Sequence, residues 1–118
     1  MSADCIFCRI VAGEIPARKL YEDELILAFH DIRPVAPVHF LIIPKVHIAT
    51  LYDARADHQD ILGRMLVKSG ELAREAGAGE GFRSIINCGK VGRQEVYHLH
   101  MHVVGGPDPL PGMLVFER

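Results

Sequence analysis

Three histidines alternate with aliphatic residues near the end of the chain, in the order His98-Leu99-His100-Met101-His102-Val103-Val104. This alternation is typical of a half-buried strand, with the aliphatic side chains in the core and the imidazoles on the opposite face at steps of roughly 6.7 Å. A neutral imidazole is nucleophilic near pH 7 and is also a common metal ligand. The segment 98–104 is therefore predicted to be a histidine strand that carries three reactive rings on one face.

This histidine strand has three interpretations. A merely polar, exposed strand face normally carries Thr, Ser, Lys or Glu instead. A zinc site of three histidines is disfavoured because the outer pair on a straight strand lie roughly 13 Å apart at Cα, whereas ligand nitrogens lie about 2.0–2.1 Å from one ion. The third interpretation is nucleophilic catalysis, in which the middle ring, His100, is oriented by its neighbours and attacks an electrophile such as phosphorus. We favour the third.

Cys5 and Cys8 form a C-x-x-C motif that precedes every predicted strand. A thioredoxin-like motif would follow a strand, and an odd total of 3 Cys argues against a disulfide framework. Structural zinc requires four ligands, and His47 and His98 are available to complete the set. The alternative is two buried thiols of a short amphipathic helix. Cys88 has no visible partner and is predicted to be a small packed residue.

The elements around these residues are predicted from apolar periodicity and from the Gly and Pro positions. Helices are predicted at 6–12 and 57–76, and strands at 19–22, 25–29, 39–43, 82–87 and 96–104. The connections are too short for parallel crossovers, so we expect one α+β domain over 1–118, with an antiparallel sheet of about five strands and the helices on one face. Gly63 and Gly70 lie two turns apart on the long helix and leave a flat strip, either for a partner or subunit or for core packing.

Composition limits the class of protein. The chain has 118 residues, 49% of them hydrophobic, and 13 Lys+Arg against 15 Asp+Glu give a net charge of −2. This balance argues against a nucleic-acid groove, which needs clustered cations. No apolar run approaches the roughly 20 residues of a membrane span. The N-terminus carries Asp4 and no basic-then-apolar run, so we expect no secretory signal and a cytoplasmic location.

The histidine strand also resembles the signature of the histidine triad superfamily of nucleotide hydrolases and transferases. The likeness extends over Ile6-Phe7, 28–32, 37–45, Asn87 and 94–97, and it is strongest to the Hint branch. That resemblance implies the histidine triad fold, with a sheet extended across a homodimer, and hydrolysis of purine nucleoside 5′-phosphoramidates. The alternatives are a dinucleoside polyphosphate hydrolase or nucleotidyl transferase of a sister branch, and a nucleotide-binding interaction module.

The resemblance also implies roles for individual residues. His100 is the nucleophile, with its other ring nitrogen held by a nearby carbonyl, and His98 and His102 complete the catalytic triad. The expected nucleotide-binding residues are Asp31 for the ribose, Ile6, Phe7 and Ile32 for the base, and Asn87, Arg93, Gln94, Glu95, His100 and His102 around the phosphate. Without the resemblance, Asp31 is a turn-forming residue and the apolar three are core.

Two further expectations come from the same resemblance. His39 is expected to contact the triad histidines without contacting the substrate. A histidine at a strand start is also compatible with a plain surface or core residue. Several branches bind zinc through a similar C-x-x-C, a downstream histidine and the first triad histidine. A structural zinc at Cys5, Cys8, His47 and His98 is therefore implied, with no cofactor required for catalysis, and His98 is then a ligand.

Two positions depart from the pattern of the branch. Arg93 stands where related proteins commonly have glycine. The arginine restricts the backbone at this position and adds a cation. Glu95 replaces a serine seen in many eukaryotic relatives and places a negative charge near the leaving group. We hypothesise that Glu95 favours cationic amine leaving groups.

Overall fold

The computed structural model describes residues 4–116 and contains one five-stranded sheet with a helix on each face. The elements are α1 (Ile6–Val11), β1 (Lys19–Glu22), β2 (Ile26–His30), β3 (Val38–Pro44), α2 (Gln59–Ala76), β4 (Phe82–Ile85) and β5 (Met101–Gly105). Two short 3₁₀ turns, Leu51–Asp53 and Ala56–His58, precede α2. The strand order is β1-β2-β3-β5-β4, and every pair is antiparallel, as predicted. Residues 1–3 and 117–118 of the predicted domain lie outside the described residues.

The helix ends follow from local sequence. At the start of α1 the thiol of Cys5 accepts a hydrogen bond from the Cys8 N–H, with a sulfur–nitrogen distance of 3.3 Å. At the end of α2, Gly77 has φ 108° and its N–H bonds to the carbonyls of Ala73 and Arg74. A left-handed residue that closes a helix in this way is favourable only for glycine, which is why α2 ends where the sequence predicts.

The sheet is covered on both faces, and the prediction that both helices lie on one face is wrong. Side chains that alternate along the central strands β2 and β3 enter two different cores. The core under α2 includes Ile26, Ala28, Phe40, Ile42, Met65, Leu72, Met101 and Val103. The core under α1 comprises Cys5, Phe7, Cys8, Ile10, Leu27, Phe29, Leu41 and Ile43. Because β2 and β3 are apolar on both faces, one long helix cannot bury them, and α1 covers the second face.

The last strand is shorter than predicted. β5 begins at Met101, which is paired with Ile42, so that His98 and His100 lie in the irregular segment before it. In this register Pro44 would face position 99, and proline has no N–H for a strand ladder. The Leu99 N–H bonds to the Ile48 carbonyl instead, at 2.7 Å. All three triad histidines are buried and do not form an open polar face.

The turn before β2 depends on Asp23. Its carboxylate accepts hydrogen bonds from the Leu25 and Ile26 N–H groups and from the Tyr21 hydroxyl, and it pairs with Arg64 at 3.1 Å. Burial by itself would raise the pKa of Asp23, but these four donors together hold it well below its ordinary value. The charged form of Asp23 therefore stabilises the folded state.

We expect Asp23→Asn to lower the free energy of unfolding at pH 7 by about 1–2 kcal/mol, because the partly exposed carboxylate loses its charge-assisted bonds. The carboxylate is more acidic in the folded state, so its contribution is present above the unfolded pKa of about 3.9 and is lost as the pH falls below it. Urea unfolding at pH 7 and pH 3 measures this. The control is Glu24→Gln, at a more exposed partner of Arg64. An equal loss in both variants, or a loss that does not shrink at pH 3, contradicts the prediction.

The glycine strip of α2 faces away from the core of the chain. A Cβ built at Gly63 or Gly70 meets nothing within 4 Å in the described part of the chain. The neighbouring Leu66 and Val67 are 59% and 76% exposed. The strip is therefore not a site of core packing. No helix among residues 4–116 is long and apolar enough to cross a bilayer.

Candidate active site and metal centre

The predicted site residues gather on the sheet face opposite α2. In the register of β3 and β5, Leu41 lies opposite His102, so His39 is the diagonal neighbour of His102 on the same face. Asp31 directly follows β2, and its N–H bonds to the His39 carbonyl at 3.1 Å. Strand register thus brings together residues that are far apart in the chain.

His100 is oriented by its own main chain. Its Nδ1 lies 2.8 Å from the carbonyl oxygen of His98. A carbonyl only accepts, so Nδ1 carries a proton, and in the neutral form of the ring Nε2 holds the lone pair. The ring packs edge-on against Phe7, with centroids 5.2 Å apart, and is 6% exposed. The middle histidine is therefore held with a nucleophilic nitrogen directed away from its support.

The proton on His102 is placed by two hydrogen bonds in sequence. The Val35 N–H donates to Nδ1 of His39 at 3.1 Å, so the proton of His39 must be on Nε2. That Nε2 lies 3.0 Å from Nδ1 of His102, which accepts. In this arrangement His102 carries its own proton on Nε2 and is a donor toward the site. His39 thus contacts His102 directly.

Cys5, Cys8, His47 and His98 form a compact cluster of possible metal ligands. Four of the six distances among the two sulfurs and the two Nδ1 atoms lie between 3.2 and 3.5 Å, and all four atoms lie within 4.8 Å of one another. A tetrahedral zinc ion with Zn–S of about 2.3 Å and Zn–N of about 2.0–2.1 Å separates its ligand atoms by roughly 3.3–3.8 Å. The donor set and its spacing therefore fit zinc.

The protonation of His98 suits metal ligation. Its Nε2 donates to the Pro44 carbonyl at 2.8 Å, which leaves the Nδ1 lone pair facing the sulfurs. Burial, reinforced by the neighbouring His47 and His100, lowers the pKa of His98 to about 4. A neutral ring whose other nitrogen is bonded to a carbonyl is the usual form of a metal-bound histidine. His98 is thus turned away from the site that His100 and His102 share.

Asp31, His39 and His102 also form a cluster whose donor atoms lie within 4.8 Å of one another. Here the fit to a metal fails, because the Val35 N–H already uses the lone pair at Nδ1 of His39. Nε2 must then keep its proton, and a protonated nitrogen cannot bind a cation. This cluster is a hydrogen-bond relay.

An apolar cavity of about 690 Å³ is lined by Phe7, which packs against the His100 ring, and by Asp31, which lies 3.3 Å from His39. Its lining includes the predicted base-binding residues Ile6, Phe7 and Ile32, together with Asp31. Ile32 stands at the rim and is 92% exposed. The cavity also has lining residues that sequence reasoning missed, namely Ile10, Ile15, Pro16, Ala17, Arg18, Phe29, His30, Arg33, Pro34, Leu41 and Val96. Strand parity shows that Phe29 and Leu41 share a face, but not that this face lines a cavity.

The loop 87–95 closes the other side of the site. Asn87, Arg93 and Glu95 surround a gap of about 10 Å³ next to His100 and His102. Arg93 has φ 60°, in the left-handed region that favours glycine, which explains why a glycine suits that position.

Gln94 has a different environment from its neighbours in that loop. Its side-chain oxygen accepts from the Gly89 N–H, and its amide nitrogen donates to the carbonyls of Ala49 and Val96. The side chain therefore holds the loop in shape through main-chain groups.

Phe116 is another residue of the site that the sequence analysis did not predict. Its ring stacks on His102, with centroids 4.2 Å apart and planes at 19°, and it lines the small gap. It follows a proline-rich tail without any periodic pattern, so no sequence signal pointed to it. Arg83 of β4 donates a hydrogen bond to the Pro111 carbonyl, which holds the tail against the sheet ahead of Phe116.

Known proteins are similar to this chain over most of its length. The family model described as scavenger mRNA decapping enzyme C-term binding matches residues 4–114. Protein HitA of Neisseria gonorrhoeae is 51% identical over 104 residues, which are 88% of this chain and 97% of that protein. The chain belongs to the histidine triad (HIT) family. A purine nucleoside phosphoramidase of Escherichia coli K12 is another HIT relative, 46% identical over 118 residues, with 99% of this chain and 98% of that protein covered.

Solved HIT structures have the same fold. A histidine triad protein from Clostridium difficile superposes with a TM-score of 0.89 at 46% identity, covering 97% of this chain and 99% of that one. A zinc-bound histidine triad family protein from Mycobacterium smegmatis superposes with a TM-score of 0.78 at 37% identity, covering 98% and 82%. The predicted histidine triad fold is thereby confirmed.

Proposed function

We propose that this protein hydrolyses purine nucleoside 5′-phosphoramidates and releases a nucleoside monophosphate and an amine. The observation that carries the proposal is the hydrogen bond from Nδ1–H of His100 to the His98 carbonyl, which leaves Nε2 of the neutral ring as a nucleophile. Phe7, which packs against this ring, also lines the apolar cavity. The homology to a purine nucleoside phosphoramidase supports the substrate class. A nucleotide-binding module would not require an oriented, neutral imidazole at this position.

In the proposed reaction His100 and His102 have complementary tasks. Nε2 of His100 attacks phosphorus, the bond from phosphorus to the amine nitrogen breaks, and the amine leaves with a proton. The Nε2–H of His102 donates to the phosphoryl oxygens or to the departing amine. Water then attacks phosphorus, the bond to His100 breaks, and the monophosphate is released with the free imidazole.

The substrate occupies the surroundings of these rings. We assign the base to the cavity of Ile6, Phe7 and Ile32, and the ribose hydroxyls to the carboxylate of Asp31. The apolar cavity of about 690 Å³ has room for a purine base, because it lies within the range of about 300–1,000 Å³ that is typical of ligand cavities. The phosphate group is assigned to the side of the site formed by Asn87, Arg93, Glu95 and the loop that Gln94 holds.

We further propose that Cys5, Cys8, His47 and His98 hold one structural zinc ion. The fit of the ligand spacing supports this, and a relative of known structure is zinc-bound. Such an ion would supply folding energy and not chemistry, because all four ligand positions come from the protein.

The deciding experiment compares substrates on one preparation of the protein. Adenosine and guanosine 5′-phosphoramidates are assayed beside diadenosine polyphosphates, with release of monophosphate measured by chromatography. We expect kcat/KM for the amidates to exceed that for the polyphosphates by at least about tenfold. Preferred cleavage of the polyphosphates supports the sister branch instead, and binding of monophosphates without any turnover supports the interaction module.

We expect Glu95→Ser to lower the preference for cationic leaving groups. Glu95 is exposed and borders the gap beside His100 and His102, so its charge acts near the departing amine. The ratio of kcat/KM for a lysyl phosphoramidate to that for a tryptamine phosphoramidate should fall by about 1.4-fold to 5-fold, since an exposed charge pair contributes about 0.2–1 kcal/mol. Glu80→Ser, an exposed change outside the site, is the control. An unchanged ratio in Glu95→Ser refutes the hypothesis.

A homodimer in the cytoplasm is also proposed. The exposed strip of Gly63, Leu66, Val67 and Gly70 on α2 supports self-association, because it offers an apolar face with close backbone approach. Light scattering of the purified protein at micromolar concentration tests the dimer, and a monomeric mass contradicts it.

A further inference from the structure

Asp31 contacts the catalytic relay as well as the nucleotide cavity. We propose that Asp31, acting through His39, couples ribose binding to the position of the proton on His102. Asp31 is then a positioning residue for the reaction in addition to a ribose ligand. The inference rests on the proposed function, in which Asp31 binds the ribose and His102 is the donor.

The coupling depends on one proton with two acceptors. The proton on Nε2 of His39 faces Nδ1 of His102 at 3.0 Å and Oδ2 of Asp31 at 3.3 Å. The Val35 N–H keeps this proton on Nε2, because it occupies the other ring nitrogen. All three side chains of the relay are buried, and competition between acceptors is strong where water is absent.

Two arrangements of the relay follow from these distances. In the first, His39 donates to His102, whose Nδ1 is then an acceptor and whose proton is on Nε2, toward the phosphoryl group. In the second, His39 donates to Asp31. Nδ1 of His102, which lies 4.0 Å from the same carboxylate oxygen, can then carry the proton toward Asp31, and Nε2 has none. Only the first arrangement supplies a donor to the reaction.

Ribose binding favours the first arrangement. The second carboxylate oxygen of Asp31, Oδ1, already accepts the Arg33 N–H at 2.8 Å. Hydroxyl groups that donate to this carboxylate weaken it as an acceptor for His39, so the His39 proton goes to His102. By linkage, the arrangement that is active in catalysis is also the one that binds ribose more tightly. The ribose hydroxyls should therefore contribute to kcat and not only to KM.

The kinetic test removes the hydroxyls and the relay separately. Adenosine and 2′,3′-dideoxyadenosine 5′-phosphoramidates are compared on the wild type, on His39→Phe, which has no ring proton to share, and on His58→Ala, a histidine outside the site. We expect loss of the hydroxyls to lower kcat by about tenfold in the wild type and in His58→Ala, and by less than about twofold in His39→Phe. An effect on KM alone in the wild type, or the same loss of kcat in His39→Phe, overturns the inference.

A second measurement uses only the wild type, in case His39→Phe fails to fold. ¹⁵N spectra of histidine-labelled protein report which ring nitrogen of His102 carries the proton. With adenosine monophosphate we expect protonation at Nε2, and with 2′,3′-dideoxyadenosine monophosphate a mixture of both forms. The same form in both complexes overturns the inference. A wild type that binds both monophosphates but cleaves no phosphoramidate contradicts the proposed function, and these spectra then decide the coupling by themselves.

Discussion

Replacement of His100 by alanine is expected to lower kcat/KM for adenosine 5′-phosphoramidate by at least about a hundredfold. The bond from Nδ1–H of His100 to the His98 carbonyl places the lone pair of the neutral ring on Nε2, the atom that we propose attacks phosphorus. Without it no bond between protein and phosphorus can form, and water must attack the substrate directly. Steady-state release of the monophosphate measures the loss.

The matched control for this variant is His58→Ala, a histidine in the turn before α2 and outside the site. It should keep kcat/KM within about twofold, because the His58 ring bonds to the Arg55 N–H and lines neither the apolar cavity nor the gap beside His100. Thermal unfolding of both variants checks that the fold is retained. A folded His100→Ala protein that keeps more than about a tenth of the wild-type activity contradicts the assignment of the nucleophile.

Loss of one thiol of the proposed zinc site is expected to have the largest effect on stability. The sulfur of Cys8 lies 3.2 Å from Nδ1 of His47 and 3.5 Å from Nδ1 of His98, so it belongs to the centre of the cluster. In Cys8→Ser we expect bound zinc to fall below about a tenth of an equivalent and Tm to fall by about 10 °C or more, because zinc binding contributes directly to folding. The six residues of α1 are too few to form a stable helix alone.

Cys88→Ser is the control for the metal prediction. Cys88 is a partly buried cysteine of the loop 87–95 and lies outside the cluster. This variant should keep about one equivalent of zinc and a Tm within about 2 °C of the wild type. Metal analysis of protein purified without chelators measures both variants. Less than about half an equivalent in the wild type contradicts the zinc site.

Much of the fold could be predicted because its signals are local. The stop of α2 at Gly77 depends on one left-handed residue, and the central strands depend on short apolar runs that turns separate. These local signals did not predict that α1 covers the second face of the sheet. Whether α1 packs beside α2 or opposite to it depends on the path of the chain after Gly13, which no local pattern encodes.

The start of β5 shows a similar limit. The alternation of residues 98–104 indicates a strand, but a strand also needs a partner, and β3 ends at Pro44. His98 and His100 consequently lie outside the regular ladder, and their rings have different partners: Nδ1 of His98 faces the Cys5 and Cys8 sulfurs, and Nδ1 of His100 bonds to the His98 carbonyl. Periodicity describes which side chains share a face and does not show where the neighbouring strand stops.

The sequence by itself determined the types of the reactive groups: three alternating imidazoles, a C-x-x-C motif, and a carboxylate after a strand. Tertiary structure alone decided which nitrogen of each ring carries a proton. Those protons are placed by the Val35 N–H, the Pro44 carbonyl and the His98 carbonyl. An imidazole is a nucleophile, a donor or a metal ligand according to the partner of its other nitrogen, and folding supplies that partner.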